Sequence, residues 1–299
     1  MERRRFGRTD MHVSALGFGG SEIGYEGVSQ RVATRLLNAA LDAGLNVIDT
    51  AECYGDSETL IGGAVSGRRR DFHLFTKVGH AGGWGRPDWR APAILRSIQR
   101  SLERLHTDAV DLVQLHSCSE SVLRRGDAIA ALETAKQRGL TRYIGYSGDG
   151  AAAKYAVETG RFDTLQISLS IADQEAVDLV LPAARKREMG VIAKRPLANV
   201  AWGSRSRPPA SAYHRAYWDR LRVLGYDFLA RPLDDAVATA LRFTLSVPGV
   251  HTAIVGTTKP ERWPQNAQRL AAGVLPRAEF EAIRARWRDR AAPDWTGET

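Results

Sequence analysis

The sequence predicts an α/β protein, a (β/α)8 TIM barrel preceded by an N-terminal β-hairpin, and three observations support this fold class. Apolar strand-like runs alternate with segments of helical period along nearly the whole chain, which favours βα units and a parallel sheet. Eight such runs occur, the number that closes this kind of barrel. No linker or low-complexity stretch separates them, so residues 1–299 are expected to form one domain.

The predicted strands are short runs bounded by turn residues or by helical segments. The hairpin pairs residues 4–6 with residues 12–14 through a turn at 7–10. The eight barrel strands follow at residues 15–19, 47–49, 73–77, 110–116, 143–147, 164–168, 191–194 and 252–255. Because barrel enzymes carry their catalytic groups at the C-terminal ends of the strands, these ends locate the candidate site.

Several predicted helices have recognisable ends. Ser29 can cap a helix whose apolar residues recur every three to four positions and which Gly44 ends. Pro92 suits the first turn of the helix after the third barrel strand. Further helices are expected to begin at Asp234 and, directly after the last strand, at Pro260.

The segment 198–224 breaks this alternation with several aromatic residues and prolines. Long loops of barrel enzymes are often functional, and an ordinary surface excursion is the alternative. Aromatic side chains of the loops are expected to line the substrate pocket. The candidates are Tyr25, Trp84, Trp89, Trp202, Tyr213, Trp218 and Trp295.

The composition is that of a globular protein, with 43% hydrophobic and 25% charged residues in a chain of 299. No apolar run reaches the roughly 18 residues of a membrane span, and the first residues lack the apolar core of a signal peptide. A cytoplasmic protein without a membrane partner is therefore expected. Cys53 and Cys118 are too few for a disulfide framework.

The net charge of +8 raises the question of nucleic-acid binding. The basic clusters are short and scattered and carry no interleaved aromatic residues, so we interpret them as solvated surface. A milder interpretation is that the positive potential attracts an anionic small molecule such as a phosphorylated cofactor. Protein partners are not predicted by any feature of the sequence.

Four polar side chains fall at or just after the ends of three successive predicted strands. Asp49 ends the second barrel strand and Tyr54 follows in the next loop, while Lys77 and His116 end the third and fourth strands. Each of them alone is more simply explained as a cap or as half of an ion pair. Their joint placement indicates a catalytic site.

This combination suits the reduction of a carbonyl group by hydride. The developing alkoxide needs a proton donor, and a tyrosine with an ordinary pKa of about 10 is a slow acid at neutral pH. A neighbouring Lys77 cation is expected to lower the pKa of Tyr54, while Asp49 holds the lysine charged and oriented. His116 can donate a hydrogen bond to the substrate oxygen and fix its angle.

Three segments match, in order, the motifs of a known family: residues 44–51 with Tyr54 and Gly55, residues 76–79, and residues 111–116. On these motifs the chain resembles an aldo-keto reductase over nearly its whole length. The resemblance implies a β/α barrel that binds NADPH in an extended form, with NADH possible, and reduces a small carbonyl substrate. It also implies that Tyr54 is the general acid.

The resemblance further assigns residues to the cofactor. Ser147 and Gln166 are implied to hold its carboxamide, and Thr257, Arg262 and Asn266 to bind the adenosine 2'-phosphate end. Physical chemistry agrees for the phosphate, because the N-terminus of the helix expected at residue 260 offers free amides and a positive dipole. The planar guanidinium of Arg262 suits a phosphate as well.

The chain departs from the family pattern at three positions. Gly148 stands where many members have asparagine, Lys194 where a tyrosine commonly stacks on the nicotinamide, and Gly256 where many have a lysine near the 2'-phosphate. Lys259 is close enough in sequence to replace the missing charge. We expect the stem of Lys194 to cover the nicotinamide while its ammonium approaches a cofactor phosphate or a carboxylate; the alternative is an ion pair that never meets the cofactor.

Two other functions have to be weighed. A regulatory subunit of the same family would bind the cofactor as a sensor without turnover, which the intact set of four catalytic candidates disfavours. A metal-dependent barrel hydrolase would need a cluster of metal ligands, but the sequence has no His-x-His pair and no His-Glu-x-x-His motif. No metal site is therefore predicted.

Overall fold

The strands of the protein form a small antiparallel hairpin and a closed parallel barrel, as seen in a computed structural model that describes residues 1–203 and 207–298. The hairpin consists of β1 (Arg3–Arg5) and β2 (His12–Ser14). The barrel strands are β3 (Leu16–Gly19), β4 (Val47–Asp49), β5 (His73–Val78), β6 (Val110–His116), β7 (Thr141–Ser147), β8 (Thr164–Ser168), β9 (Gly190–Lys194) and β10 (Thr252–Val255). Each barrel strand pairs with the next in the chain, and β10 closes the ring against β3.

Thirteen α-helices lie in the described part of the chain, most of them between barrel strands. They are α1 (Ser21–Tyr25), α2 (Gln30–Asp42), α3 (Ser57–Val65), α4 (Ala91–Leu105), α5 (Glu120–Arg125), α6 (Asp127–Gln137), α7 (Gly150–Thr159), α8 (Glu175–Leu179), α9 (Leu181–Lys186), α10 (Ala212–Leu224), α11 (Leu233–Ser246), α12 (Arg262–Leu270) and α13 (Arg277–Arg290). Short 3₁₀ helices span Ser66–Asp71, Ala198–Gly203 and Asp227–Ala230. None of these helices is both long enough and apolar enough to span a membrane.

The predicted fold class is confirmed, and every predicted barrel strand is present with its ends shifted by no more than two residues. The helix capped by Ser29 is also present, and the Ser29 side chain accepts a hydrogen bond from the Val32 amide. The helix expected at Asp234 begins one residue earlier, directly after Pro232.

The prediction that a helix begins at Pro260 is wrong by two residues. A turn precedes the helix, and in it the Arg262 amide donates to the Lys259 carbonyl (3.1 Å). The helix α12 therefore starts at Arg262. The predicted first hairpin strand is shifted by one residue, because Phe6 points into the barrel and β1 ends at Arg5.

The hairpin closes the N-terminal end of the barrel. Phe6 is fully buried, and its ring stacks on the ring of Phe75 of β5 at 5.8 Å between centroids. Met11 and Val13 of the hairpin join the same apolar cluster, which lies among barrel strands. A ligand must therefore approach from the opposite end, where the C-terminal ends of the strands lie.

The segment 198–224 departs from the βα rhythm, as predicted. It contains the 3₁₀ helix Ala198–Gly203 and α10, and it separates β9 from α11. Ala198, Asn199 and Val200 have φ values of 44° to 54°. This is a left-handed backbone conformation that residues other than glycine rarely adopt. Four described residues of the segment line the cavity described below: Asn199, Val200, Tyr213 and His214.

Candidate active site

The four predicted catalytic residues meet at the C-terminal end of the barrel. Asp49 is the last residue of β4 and His116 the last of β6, while Lys77 precedes the last residue of β5. The Lys77 ammonium donates to the Asp49 carboxylate and to the Thr50 carbonyl (2.9 Å). Both ionised side chains are 1% exposed, so their charges compensate one another inside the protein.

Asp49 also connects this pair to two predicted cofactor residues. Its second carboxylate oxygen accepts from the amides of Gln166 (3.1 Å) and Gln114 (3.3 Å). Gln166 in turn accepts from the Ser147 hydroxyl (2.8 Å). The Asp49–Lys77 pair and the two residues predicted for the carboxamide thus belong to one buried hydrogen-bond network.

Tyr54 stands at the mouth of the barrel beside His116. The Tyr54 hydroxyl lies 3.5 Å from Nε2 of His116, and the Lys77 ammonium lies 5.0 Å from the centroid of the Tyr54 ring. Burial around the hydroxyl raises the pKa of Tyr54 well above its usual range, and the Asp49 charge raises it further. The expected lowering of this pKa by Lys77 is outweighed here by burial, and the ammonium faces the ring and bonds to Asp49 and Thr50. Tyr54 therefore keeps its proton at neutral pH.

His116 is neutral in this site. Burial lowers its pKa well below the usual range, and the charges of Lys77 and Lys194 lower it further. Its other ring nitrogen, Nδ1, lies 3.5 Å from the sulfur of Cys53. Burial raises the pKa of the Cys53 thiol to about 12, and that of Cys118 likewise to about 12, so both are protonated thiols, a state that resists oxidation.

A cavity of about 660 Å³ opens at this end of the barrel, within the range of small-molecule and cofactor sites. Of the ten predicted site residues, five line it: Tyr54, His116, Ser147, Gln166 and Lys194. Asp49 and Lys77 lie behind the wall, where Asp49 bonds to the lining residue Gln166 and Lys77 bonds to Asp49. Thr257, Arg262 and Asn266 are not among the lining residues. The residues predicted to bind the 2'-phosphate therefore do not line the same cavity.

Of these three residues, Thr257 lies on the β10–α12 connection, and Arg262 and Asn266 belong to α12. Arg262 and Asn266 are four residues apart in α12 and therefore face the same side of the helix. Arg262 donates to Gln265 (3.4 Å), and the Asn266 side-chain oxygen accepts from Arg269 (2.6 Å). Thr257 directly follows Gly256, which does line the cavity.

Two carboxylates that the sequence analysis did not identify face this connection. Glu22 lines the cavity, accepts from the Ser21 hydroxyl (2.7 Å), and lies so close to Gly256 that a Cβ there would collide with its carboxylate. Glu26 accepts from Thr258 (3.3 Å). Burial raises the pKa of Glu22. Neither residue ends a strand or belongs to a recognised motif, so the sequence gives no sign of this contact.

Lys194 is engaged by a carboxylate within the cavity wall. Its ammonium lies 2.9 Å from Asp149, and its side chain is only 11% exposed. Asp149 also accepts from the backbone amide (2.6 Å) and the hydroxyl (2.9 Å) of Ser168. Burial lowers the pKa of Lys194 to about 8 in spite of this partner. The sequence analysis expected the Lys194 ammonium to approach either a cofactor phosphate or a carboxylate. In the structure it bonds to a carboxylate, that of Asp149.

Arg195 is a further cavity residue that the sequence analysis missed, although it directly follows a predicted strand end. It has a φ of 56°, which is strained for a residue with a side chain. Its guanidinium donates to the hydroxyls of Tyr213 and Ser168. The strained turn thus aims a cation at the rim of the cavity.

The aromatic residues expected in the substrate pocket divide into two groups. Tyr25, Trp84 and Tyr213 line the cavity. Trp84 stacks on His80 at 4.5 Å and lies edge-on to His116 at 4.8 Å between centroids. The others do not line it: Trp89 packs against Gly79 and His80, Trp295 packs on Trp287 and Arg220, and Trp202 and Trp218 also lie outside the lining.

Comparison with known proteins agrees with this architecture. The Aldo/keto reductase family model matches residues 15–288. The chain is 33% identical to L-galactose dehydrogenase of Arabidopsis thaliana over 66% of each chain, and 29% identical to D-threo-aldose 1-dehydrogenase of a Pseudomonas species over 87% of this chain and 90% of that relative. The solved structure of aldo-keto reductase AKR11C1 from Bacillus halodurans in its holo form aligns with a TM-score of 0.83 and 29% identity over 96% of both chains. The chain belongs to the aldo-keto reductase family.

Proposed function

We propose that this protein is a nicotinamide-dependent oxidoreductase that reduces aldehyde or ketone carbonyls with Tyr54 as the general acid. The observation that carries the proposal is the pair of Tyr54 and His116, 3.5 Å apart in one cavity wall and backed by the buried ion pair of Lys77 and Asp49. A carbonyl oxygen placed between the hydroxyl and the imidazole meets two hydrogen-bond donors.

The cavity wall fits a nicotinamide cofactor, which supplies the hydride when bound. Ser147 and Gln166 present a hydroxyl and an amide beside the catalytic pair, and such groups suit a carboxamide. The methylene stem of Lys194 offers an apolar surface to a ring, while its ammonium stays on Asp149. Gly19 leaves part of the adjoining wall as bare backbone, whereas the space beside Gly256 is taken by the Glu22 carboxylate.

Each catalytic residue has a distinct task in this proposal. Tyr54 keeps its proton until an alkoxide forms and then transfers it from its hydroxyl to that oxygen. His116, neutral, donates from Nε2 to the carbonyl oxygen and orients it. The positive charge of Lys77 lies over the Tyr54 ring and favours the tyrosinate that forms when the proton leaves. Asp49 fixes the position of Lys77.

We further propose NADPH as the preferred cofactor, with NADH also accepted. Thr257, Arg262 and Asn266 would bind the adenosine end, with Arg262 as the fork for the 2'-phosphate. The preference is modest in this proposal, because Gly256 supplies no cation and the Glu22 carboxylate lies against it.

For the substrate we propose a sugar in its carbonyl form. Two relatives are named as dehydrogenases of L-galactose and of a D-threo-aldose. The rim of the cavity carries the hydroxyls of Tyr25 and Tyr213 and the guanidinium of Arg195, beside the flat ring of Trp84. Such groups bind the hydroxyls and the apolar faces of a sugar. We also infer that residues 1–299 act as one domain in the cytoplasm, with small molecules and neither nucleic acid nor membrane as partners.

A multiple-turnover assay tests the function. The purified protein is mixed with NADPH or NADH and a panel of aldoses, ketones and simple aldehydes, and cofactor oxidation is followed over many equivalents. We expect sustained turnover that a metal chelator leaves unchanged, with sugars among the best substrates. Tight cofactor binding without turnover on any carbonyl would instead identify a regulatory subunit, an alternative that the oxidoreductase relatives do not favour.

A further inference from the structure

The imidazole of His116 has a polar neighbour at each nitrogen. Nε2 faces the Tyr54 hydroxyl at 3.5 Å, and Nδ1 faces the sulfur of Cys53 at 3.5 Å. Two other neighbours pack against the ring edge-to-face: Trp84 and His80. His80 directs its own Nε2 at the backbone carbonyl of His116 (2.9 Å) and so does not compete for the ring nitrogens.

The protonation states of both partners leave two possible arrangements. His116 is neutral, because burial and the cations Lys77, Lys194 and Arg195 disfavour a second proton on its ring. Cys53 carries its proton, because burial raises the pKa of its thiol. Either the thiol donates to Nδ1 and the ring proton sits on Nε2, or the proton sits on Nδ1 and points at sulfur.

The first arrangement is favoured by the chemistry of the two groups. An imidazole lone pair is a good acceptor and a protonated thiol has an S–H to donate, so S–H to N is a matched pair. The reverse arrangement joins the weakly acidic N–H of a neutral ring to a thiol sulfur, which is a weak acceptor. It would also leave Nε2 as an acceptor that competes with the substrate for the Tyr54 proton.

We propose that Cys53 is a positioning residue that fixes His116 in the tautomer with its proton on Nε2. This proposal rests on the proposed function, in which that proton bonds to the carbonyl oxygen of the substrate. The partner of one ring nitrogen decides which nitrogen carries the proton. Without substrate the Nε2 proton faces the Tyr54 oxygen. With substrate it bonds to the carbonyl oxygen, and in both cases the Tyr54 proton is not held by His116 and stays free for the alkoxide.

The experiment compares two substitutions at one position. Cys53→Val keeps approximately the same shape and removes the donor, while Cys53→Ser keeps a donor. Cys118→Val is the matched control, because Cys118 is the other cysteine of the chain and its carbonyl, not its sulfur, accepts from Tyr146 (2.7 Å). Imidazole ¹⁵N chemical shifts, measured by long-range proton–nitrogen correlation, report the tautomer of His116 without any turnover.

We expect the wild type, Cys53→Ser and Cys118→Val to show His116 protonated on Nε2, and Cys53→Val to gain the Nδ1-protonated form. In Cys53→Val, kcat should fall about tenfold, as for the loss of one modest hydrogen bond, while the Kd of NADPH stays within about twofold. Cys53→Ser should recover most of this loss.

Two results would overturn the proposal. One is a Cys53→Val protein that binds NADPH normally and keeps the wild-type tautomer, whatever its kcat, because Cys53 would then act only through packing. The other is a wild type protonated on Nδ1. Should Cys53→Val fail to fold, Cys53→Ala serves the same comparison. A tautomer change in a protein that reduces no carbonyl would support the role of Cys53 and refute the proposed function instead.

Discussion

The Lys77 ammonium faces the ring of Tyr54, 5.0 Å from its centroid, and bonds to the carboxylate of Asp49. The lysine thus acts on the phenol through the ring face and through space. The position of its ammonium is set by the Asp49 carboxylate and the Thr50 carbonyl. The site is buried and leaves little room for a cationic side chain of a different shape.

Lys77→Arg should therefore be severely impaired, with kcat lowered about 100-fold, although the charge is kept. The planar guanidinium is larger and forks differently from an ammonium, so it cannot keep both the Asp49 bond and the contact with Tyr54 in a site that is 1% exposed. Steady-state kinetics and the Kd of NADPH measure the effect. Normal turnover in this variant would reduce Lys77 to a counter-ion of Asp49.

Tyr54→Phe should leave cofactor binding nearly intact and lower kcat about 100-fold or more, because only the proton donor is removed. Fluorescence titration of NADPH and single-turnover kinetics separate the two quantities. Tyr155→Phe is the control, since Tyr155 lies under Arg124 on the outside of the barrel. Near-normal kcat in Tyr54→Phe would falsify the assignment of the acid.

Arg262→Ala should raise the Kd of NADPH about tenfold and leave that of NADH almost unchanged, because a bidentate contact with the 2'-phosphate is lost. Arg277→Ala, which removes an exposed arginine of α13, controls for net charge. Equal losses for both cofactors would mean that Arg262 does not bind the 2'-phosphate.

Gly256→Lys alone should fail to strengthen NADPH binding, because its Cβ collides with the Glu22 carboxylate. In the background of Glu22→Ala the same lysine has room and is no longer neutralised by the Glu22 carboxylate. The double variant should then bind NADPH about tenfold more tightly than Glu22→Ala, with NADH little changed. The measurement is a Kd for each cofactor in four proteins. A lysine at 256 that works equally well beside Glu22 would contradict the contact.

Lys194→Met should lower the free energy of unfolding by about 3 to 5 kcal/mol, because it leaves Asp149 charged and buried. Adding Asp149→Asn should restore much of that loss. Since the ammonium is already neutralised by Asp149, the Kd of NADPH should depend on salt equally in the wild type and in the variant. A steeper salt dependence of the wild type would show that Lys194 contacts a cofactor phosphate directly.

The barrel could be predicted from the sequence because its determinants are local. The apolar runs that end at Asp49 and at His116 are continuous in the chain, and the alternation of strands and helices fixes how they pair. Which side chains share the C-terminal end of the barrel follows from that order. The four catalytic candidates could be predicted from the sequence for the same reason.

The remaining features depend on contacts between distant parts of the chain. Glu22 meets Gly256 from the far end of the sequence, and no periodicity relates them. The start of α12 at Arg262 depends on a turn in which the Arg262 amide donates to the Lys259 carbonyl. The preference of proline for the first turn of a helix does not predict this turn. The contact of Lys77 with Asp49 was predicted, but its second contact, with the Thr50 carbonyl, was not, because a backbone acceptor leaves no trace in residue type.

Asp49 accepts hydrogen bonds from Lys77 on one oxygen and from Gln114 and Gln166 on the other. One carboxylate thereby couples energetically the residues proposed to move the proton and those proposed to seat the cofactor. Substitutions on the two sides are then not additive, because each shifts the group that both depend on. A change at Gln166 should therefore disturb the acid through Asp49, whereas a change at Arg262, which has no bond to this network in the described part of the chain, should alter cofactor affinity alone.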